Sequence, residues 1–158
     1  MDFDTTANEN PAPAFTFHGS YTRAVDAKGR FALPFRFRQG GSVPVEEKYV
    51  VSQGADGSLS LLPYGVWIEN FNRMRQSKPG SDLRANMRKM SLASTVVEPD
   101  SQGRVAVSVE TLGNCGITKK ITVVGMGSYM ELWAPDSLDA LNAGNDEVDS
   151  GFMDEFYR

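Results

Sequence analysis

The sequence predicts an α+β fold, mainly β, built from two pseudo-repeats with helices after each repeat. The main observation is a pair of similar segments, VDAKGR at residues 25–30 and PDSQGR at residues 99–104. Both contain the pattern Asp-x-x-Gly-Arg, and an apolar run follows each of them. A hairpin pattern and then a helix pattern come after each copy, so the same order of elements is predicted twice along the chain.

The first repeat begins near Phe15 and is predicted to form a hairpin of strand, turn and strand. Residues 15–25 are rich in aromatic and β-branched residues, residues 26–29 are typical of a turn, and residues 30–38 return as a strand. A second hairpin is predicted over residues 48–63, with GADG as its turn. The helix that follows carries one apolar stripe, which is formed by Tyr64, Trp67, Ile68, Phe71 and Met74.

A second helix and then the second repeat come next. Pro79 and Gly80 end the first helix, and we expect Ser81 or Asp82 to cap the next one. The apolar positions of that second helix are Leu83, Met87 and Met90. The repeat then restarts with a strand, the turn at PDSQG, a strand with Val105, Val107 and Val109 on one side, a loop at LGNCG, a hairpin at KITVVGMGSYMELW and a helix at APDSLDAL.

These elements divide the chain into five segments, and the two halves among them are expected to form one domain. The segments are a flexible arm (1–14), a first half (15–78), a linking helix (79–94), a second half (95–143) and an acidic C-terminal tail (144–158) that can form a weak last helix. Neither half has enough strands to bury both faces of a sheet. We therefore expect the halves to pair through a pseudo-twofold axis and to close a small barrel, which removes exposed strand edges.

Charge is distributed unevenly along the chain, although the formal net charge is only −4. Residues 1–14 hold three acids and no base, and residues 139–158 hold six acids and one base. The residues between them, 15–138, hold 11 acids and 15 bases. A basic middle permits an anionic partner such as nucleic acid, but a surplus of solvated Arg and Lys explains the same numbers.

The inventory of reactive residues argues against an enzyme. Cys115 and His18 are the single cysteine and the single histidine, and neither lies in a nucleophile or triad pattern. A zinc site of His and Cys ligands needs more residues than these two. We therefore predict no catalytic residue, no metal, no cofactor and no small-molecule substrate.

The N-terminal sequence and the apolar runs predict a cytoplasmic protein. The segment MDFDTTANENPAPAF is acidic and lacks both a basic n-region and an apolar h-region, so we expect no signal peptide. No apolar run approaches the roughly 18–20 residues that span a bilayer. A membrane partner is therefore not expected.

The repeated Asp-x-x-Gly-Arg pattern combines turn residues with an arginine that a turn does not need. Gly29 and Gly103 suit a turn position with positive φ. Asp26 and Asp100 can accept hydrogen bonds from backbone N–H groups across the turn, as in an Asx turn. These four residues are sufficiently explained by structure.

Arg30 and Arg104 leave two interpretations open. Each can form a local ion pair with the Asp four positions earlier, and such an exposed pair contributes at most about 1 kcal/mol. Alternatively, each presents a planar fork of donors that suits a phosphate or the O6/N7 edge of guanine in a major groove. Lys28 and, nearby, Arg23, Arg36 and Arg38 add positive charge at the first turn. Gln102 offers an amide that can read a base at the second.

Two longer segments of the chain resemble the MraZ family. They are FHGSYTRAVDAKGRFALPFRFR around the first turn and GNCGITKKITVVGMGSYMELW after the second. The resemblance extends over about residues 17–138 and includes both turns in order. It implies that two AbrB/SpoVT-like halves build a double-psi-like swapped-hairpin barrel.

The resemblance also implies a function and a set of site residues. It implies a nucleoid-associated transcriptional regulator of the bacterial division and cell-wall gene cluster. Its subunits would form a ring-shaped homo-oligomer on double-stranded DNA that carries short tandem G-rich repeats in the promoter of its own operon. It assigns DNA contact to Lys28, Arg30, Gln102 and Arg104, and turn formation to Asp26, Gly29, Asp100 and Gly103. The alternative is an oligomeric scaffold or protein-interaction module without direct DNA readout.

Overall fold

The computed structural model describes residues 17–34, 37, 48–77, 80–144 and 147–158. Within them lie eight strands: β1 (Ser20–Ala24), β2 (Arg30–Ala32), β3 (Tyr49–Gln53), β4 (Leu59–Pro63), β5 (Thr95–Val97), β6 (Arg104–Ala106), β7 (Lys120–Gly125) and β8 (Met130–Trp133). The described helices are α1 (Tyr64–Arg75), α2 (Ser81–Leu92), α3 (Val109–Asn114), α4 (Pro135–Asn142) and α5 (Ser150–Phe156). The predicted α+β, mainly β class is confirmed.

Six of the strands form one antiparallel sheet in the order β1-β7-β8-β4-β3-β5. The hairpins β3–β4 and β7–β8 are both present, as the sequence predicts, and they meet in the middle of the sheet through β4 and β8. Each outer strand comes from one repeat and pairs with a hairpin of the other. The two repeats are therefore interleaved within a single sheet.

The strand registers show an internal twofold relation between the repeats. Arg23 of β1 is paired with Ile121 of β7, and Val97 of β5 is paired with Tyr49 of β3. In β4 and β8, Ser60 lies opposite Glu131 at the centre of the pairing. The repeated order of elements in the sequence thus corresponds to a repeated pairing pattern in space.

The strands that come after the two Asp-x-x-Gly-Arg turns form a separate two-stranded antiparallel ribbon, β2–β6. Phe31 lies opposite Val105 at its centre, and both side chains are buried. The sequence predicts that the strands on either side of each turn pair as a hairpin, and this prediction is wrong. Each turn instead connects a strand of the large sheet to a strand of the ribbon, because the apolar residues after the turn find their partners in the other repeat.

One core lies beneath the ribbon and on one face of the large sheet. Its members come from both repeats, and the largest fully buried side chains include Tyr49, Phe31, Leu61, Ile121 and Met130. Phe37 packs edge to face against Phe17 and Tyr21, with ring centroids 5.4 and 5.3 Å apart. The two halves thus share one hydrophobic core.

Two local predictions need correction. The segment after β6 is helical and is not a strand followed by a loop: Ser108 caps α3, its Oγ accepts a hydrogen bond from the N–H of Thr111, and Val109 is 58% exposed. Helix α2 begins at Ser81 after Gly80, and neither Ser81 nor Asp82 provides a side-chain cap.

The described strands form an open sheet and a ribbon rather than one closed cylinder, so the double-psi-like barrel stays a prediction.

Candidate functional site

The first Asp-x-x-Gly-Arg turn is held by its own aspartate. Asp26 Oδ1 accepts hydrogen bonds from the backbone N–H groups of Lys28 and Arg30, both at 2.9 Å. Asp26 Oδ2 accepts a third from the Nε of Arg30 at 2.7 Å. The carboxylate therefore fixes both the conformation of the turn and the position of the Nε atom of Arg30.

The second turn repeats this arrangement. Asp100 Oδ1 accepts from the N–H groups of Gln102 and Arg104, both at 2.9 Å, and Oδ2 accepts from the Nε of Arg104 at 2.9 Å. The ion pair between the arginine and the aspartate four positions earlier, which was one of the two interpretations of the arginines, is therefore present in both repeats. It uses only Nε of each guanidinium, and the Nη groups make no further hydrogen bond to any described residue.

The hydrogen bonds lower the pKa of both aspartates. The backbone N–H of Arg30 is the largest contributor at Asp26, and its pKa falls from 3.8 to about 2. The N–H of Arg104 has the same leading effect and lowers the pKa of Asp100. Hydrogen bonds to a carboxylate favour its charged form, so both groups are ionised at neutral pH.

Each turn is anchored by the other repeat. Gly29 and Gly103 are buried and have φ of +78° and +76°. The carbonyl of Gly29 accepts a hydrogen bond from the N–H of Val107, and the carbonyl of Gly103 accepts one from the N–H of Leu33. A Cβ on Gly29 would lie 2.0 Å from the carbonyl oxygen of Val107. Glycine is thus required by both conformation and space.

The β2–β6 ribbon places both arginines on one outward face. Arg30 is opposite Ala106 and Arg104 is opposite Ala32, so the arginines are diagonal neighbours. Side chains at such positions start roughly 7–8 Å apart. Because the alternate residues, Phe31 and Val105, point into the core, the outward face carries two guanidinium groups separated only by small alanine side chains.

The remaining predicted contact residues lie at the turns. Lys28 and Gln102 occupy equivalent positions and are exposed. Arg23 donates to the carbonyl of Thr22 at 3.0 Å and lies over the ring of Tyr21. Arg36 and Arg38, which the sequence adds to this basic region, lie outside the described residues. No pattern in the sequence pointed to the two ribbon alanines, because their role depends on the pairing of β2 with β6.

The single cysteine and the possible metal ligands can be examined within the described part of the chain. Cys115 is partly buried against the core, and burial raises the pKa of its thiol, which disfavours the reactive thiolate. Among the described residues, no three His, Cys, Asp or Glu side chains are placed to hold a metal ion. Within the same ranges, no helix is long and apolar enough to cross a membrane.

The fold and the site together define a class of protein. It is a mainly β protein of two interleaved repeats, each of which presents an Asp-x-x-Gly-Arg turn at a shared ribbon. A family model described as "MraZ protein, putative antitoxin-like" matches residues 90–149. Individual relatives extend this similarity over most of the chain, and the chain belongs to the MraZ family.

Three relatives illustrate the similarity, and each is named transcriptional regulator MraZ. The protein of Thermomicrobium roseum is 36% identical over 77% of this chain and 83% of its own length. The protein of Nitratidesulfovibrio vulgaris is 35% identical over 80% and 86%, and that of Prosthecochloris aestuarii is 34% identical over 82% and 90%. The family resemblance inferred from the two turn segments is therefore confirmed.

Proposed function

We propose that this chain is a sequence-specific DNA-binding transcriptional regulator that contacts double-stranded DNA through the outward face of the β2–β6 ribbon. One observation carries the proposal: two guanidinium groups, each fixed at Nε by its own aspartate, stand on the same face with their Nη groups open among the described residues. The relatives named transcriptional regulators support the regulatory role.

The chemistry of the face suits a DNA major groove. That groove admits a two-stranded ribbon, and a bidentate arginine on O6 and N7 of guanine is its commonest specific contact. The aspartate restricts the rotamers of each arginine before binding, which lowers the entropy cost of ordering the side chain. In this proposal Arg30 and Arg104 read bases, while Lys28 and Gln102 contact phosphate or an adjacent base edge.

A single subunit with a few base contacts would bind weakly, and an oligomer answers this problem. We infer a ring-shaped homo-oligomer whose subunits occupy short tandem G-rich repeats, since linked contacts raise the effective concentration of each further contact. The strands exchanged between the repeats support the swapped-hairpin part of this fold. The regulated genes would be the chain's own division and cell-wall cluster, and its place of action the nucleoid in the cytoplasm.

The test is fluorescence anisotropy with a DNA of tandem G-rich repeats and a scrambled DNA over a salt series. The double variant Arg30→Ala/Arg104→Ala is expected to lose the preference for the repeat DNA and to show a shallower salt dependence. The matched control is Arg73→Ala/Arg75→Ala, which removes two exposed arginines of α1 and should bind like the wild type. Circular dichroism and sedimentation must first show that all proteins fold and assemble alike.

Two outcomes would redirect the proposal. Equal preference in the double variant would mean that the turn motif is mainly structural and that DNA is read elsewhere. No binding by the wild type at low salt would favour a scaffold without DNA readout. The apolar stripes of α1 and α2, none of whose described residues is fully buried, are the observation that favours this second candidate.

A further inference from the structure

Helices α1 and α2 lie beside the large sheet without completing a core. None of their described residues is buried, although both helices carry apolar stripes. Between these helices and strands β3 and β4 lies a cavity of about 380 Å³, which we call the helix cavity. The apolar residues that the two helices contribute to its lining are Trp67, Phe71, Met74, Leu83, Met87 and Met90. An amphipathic helix pair normally buries such a stripe, so this surface is suited to a further partner.

Helix α5 and the residue that follows it carry aromatic side chains that are largely exposed. Phe152, Phe156 and Tyr157 are 57%, 68% and 75% exposed. The rings of Phe152 and Phe156 lie one helical turn apart, with centroids 5.9 Å apart, and so form one apolar side. Asp149 caps the helix by accepting a hydrogen bond from the N–H of Phe152. A helix this short is not stable alone in water, and a docking surface would stabilise it.

We propose that α5 of one copy docks its aromatic side in the helix cavity of a second copy. The charges are complementary: α2 holds three bases and one acid, while residues 147–158 hold four acids and one base. Arg84 and Arg88 follow the lining residues Leu83 and Met87 by one position and are exposed. They can face Asp154 and Glu155 of the docked helix.

A second copy is favoured over the same chain as the source of the helix. The described lining of the cavity includes no residue of the chain's own α5, which instead stands exposed. Exchange of a terminal element between identical subunits is a common route to oligomers. This inference rests on the homo-oligomer of the proposed function and is independent of its DNA contacts.

Photo-crosslinking of the full chain tests the contact directly. A photoreactive phenylalanine analogue is placed at position 152, and chains of normal and heavy isotope composition are mixed, allowed to exchange and irradiated. We expect crosslinks to residues 83–90 that join a light peptide to a heavy one. The same analogue at position 141, which is an exposed leucine of α4, serves as the control and should not reach this segment. Crosslinks within one chain only, or to another surface, would overturn the proposal.

Sedimentation velocity without DNA tests its contribution to assembly. Phe152→Ala/Phe156→Ala should raise the dissociation constant of the oligomer at least about tenfold, because buried aromatic anchors dominate such contacts. Leu141→Ala/Val148→Ala, which removes two exposed aliphatic side chains, should change little. An unchanged oligomer in the phenylalanine variant, or a monomeric wild type, would refute the docking, while DNA binding through the ribbon could persist.

An exchange of charges gives a second test, in which recovery by the combined variant excludes misfolding as the cause of weakening. Arg84→Glu/Arg88→Glu and Asp154→Arg/Glu155→Arg should each weaken the oligomer, since each places like charges across the contact. Their combination should recover most of the loss, which is the signature of a direct pairing in a double-mutant cycle. A combined variant that is as weak as the product of the separate effects would contradict the proposed orientation.

Discussion

The two Asp-x-x-Gly-Arg turns are alike in geometry and different in their exposed side chains. In both, the aspartate accepts the same three hydrogen bonds, at 2.7–2.9 Å, and the glycine has nearly the same positive φ. Both exposed positions between the aspartate and the glycine differ, and the second of them differs in charge, with Lys28 in one repeat and Gln102 in the other. The shared residues therefore build the turn and orient an arginine, while the second position between them is free to differ in charge.

The largest effect is expected from disrupting the anchor of the first turn. Gly29→Ala should lower the free energy of unfolding by about 3 kcal/mol or more, because the new Cβ meets the carbonyl of Val107 and the positive φ is strained. The control is Gly57→Ala, which has φ of +88° but nothing within 4 Å of a new Cβ. It should cost about 1–2 kcal/mol.

Urea denaturation of the two variants measures both effects. Gly103→Ala extends the comparison to the second repeat, where the twofold relation predicts a cost like that of Gly29→Ala. A Gly29 variant no less stable than the Gly57 variant would show that the contact between the repeats is not as close as the structure has it.

The next effect concerns the start of α3, just beyond the second turn. Ser108→Ala should lower the free energy of unfolding by about 1 kcal/mol, because the N–H of Thr111 loses its acceptor. Ser81→Ala at the first residue of α2 is the control and should change stability by less than about 0.5 kcal/mol, since Ser81 makes no side-chain cap. Equal effects at both positions, measured by thermal denaturation, would argue against the assigned cap.

These local features show how far the sequence could predict the structure. Asp26, Gly29 and their counterparts were predicted as turn residues because their hydrogen bonds are local, and the hairpins β3–β4 and β7–β8 were predicted because their strands are adjacent in the chain. The pairing of β2 with β6 was missed, since it depends on residues far apart in sequence. The helix that begins at Val109 was missed because the alternating valines at 105, 107 and 109 favour one continuous strand. In the structure the strand ends before Ser108, which caps the helix instead.

The same distinction applies to the candidate site. Arg30 and Arg104 could be selected from their types and their place in the repeated pattern. Their common outward face could not be predicted, because only the antiparallel register of β2 and β6 brings them together. The apolar stripe of α1 was predicted correctly, but sequence periodicity gives no information on whether a stripe is covered within one chain or by another.

Exchanging the two different turn residues would test whether their charge matters to DNA binding. Under the proposed function, Lys28→Gln should make the salt dependence of DNA binding shallower by about one unit of slope for each subunit that contacts DNA, and Gln102→Lys should make it steeper by the same amount. Each unit of slope corresponds to about fourfold in affinity for a fourfold change in salt. The combined exchange should restore the wild-type slope. Anisotropy titrations with unchanged slopes in both single variants would place these side chains away from the phosphates.

The smallest effect is a pH dependence that both turns should share. The pKa of Asp26 is about 2 in the folded chain and 3.8 ordinarily, so its ionised form stabilises the fold. That contribution is complete above the ordinary pKa and is lost as pH falls through about 2. Asp26→Asn lacks it, so the difference in urea midpoint between wild type and variant should close over this range. The lowered pKa of Asp100 predicts the same direction for Asp100→Asn. A difference that stays constant down to pH 2 would show that ionisation of the aspartate is not its cause.

The reciprocal hydrogen bonds of the two glycines have a consequence for how the chain is made. The acceptor at Gly29 needs the N–H of Val107, and the acceptor at Gly103 needs that of Leu33. The ribosome therefore synthesises the first repeat before its ribbon partner, and the anchoring hydrogen bond of Gly29 cannot form during that interval. Contacts between distant residues slow folding. The ribbon therefore forms only once residues of both repeats are available, and a nascent chain stalled between the repeats would carry Arg30 without the register that aims it.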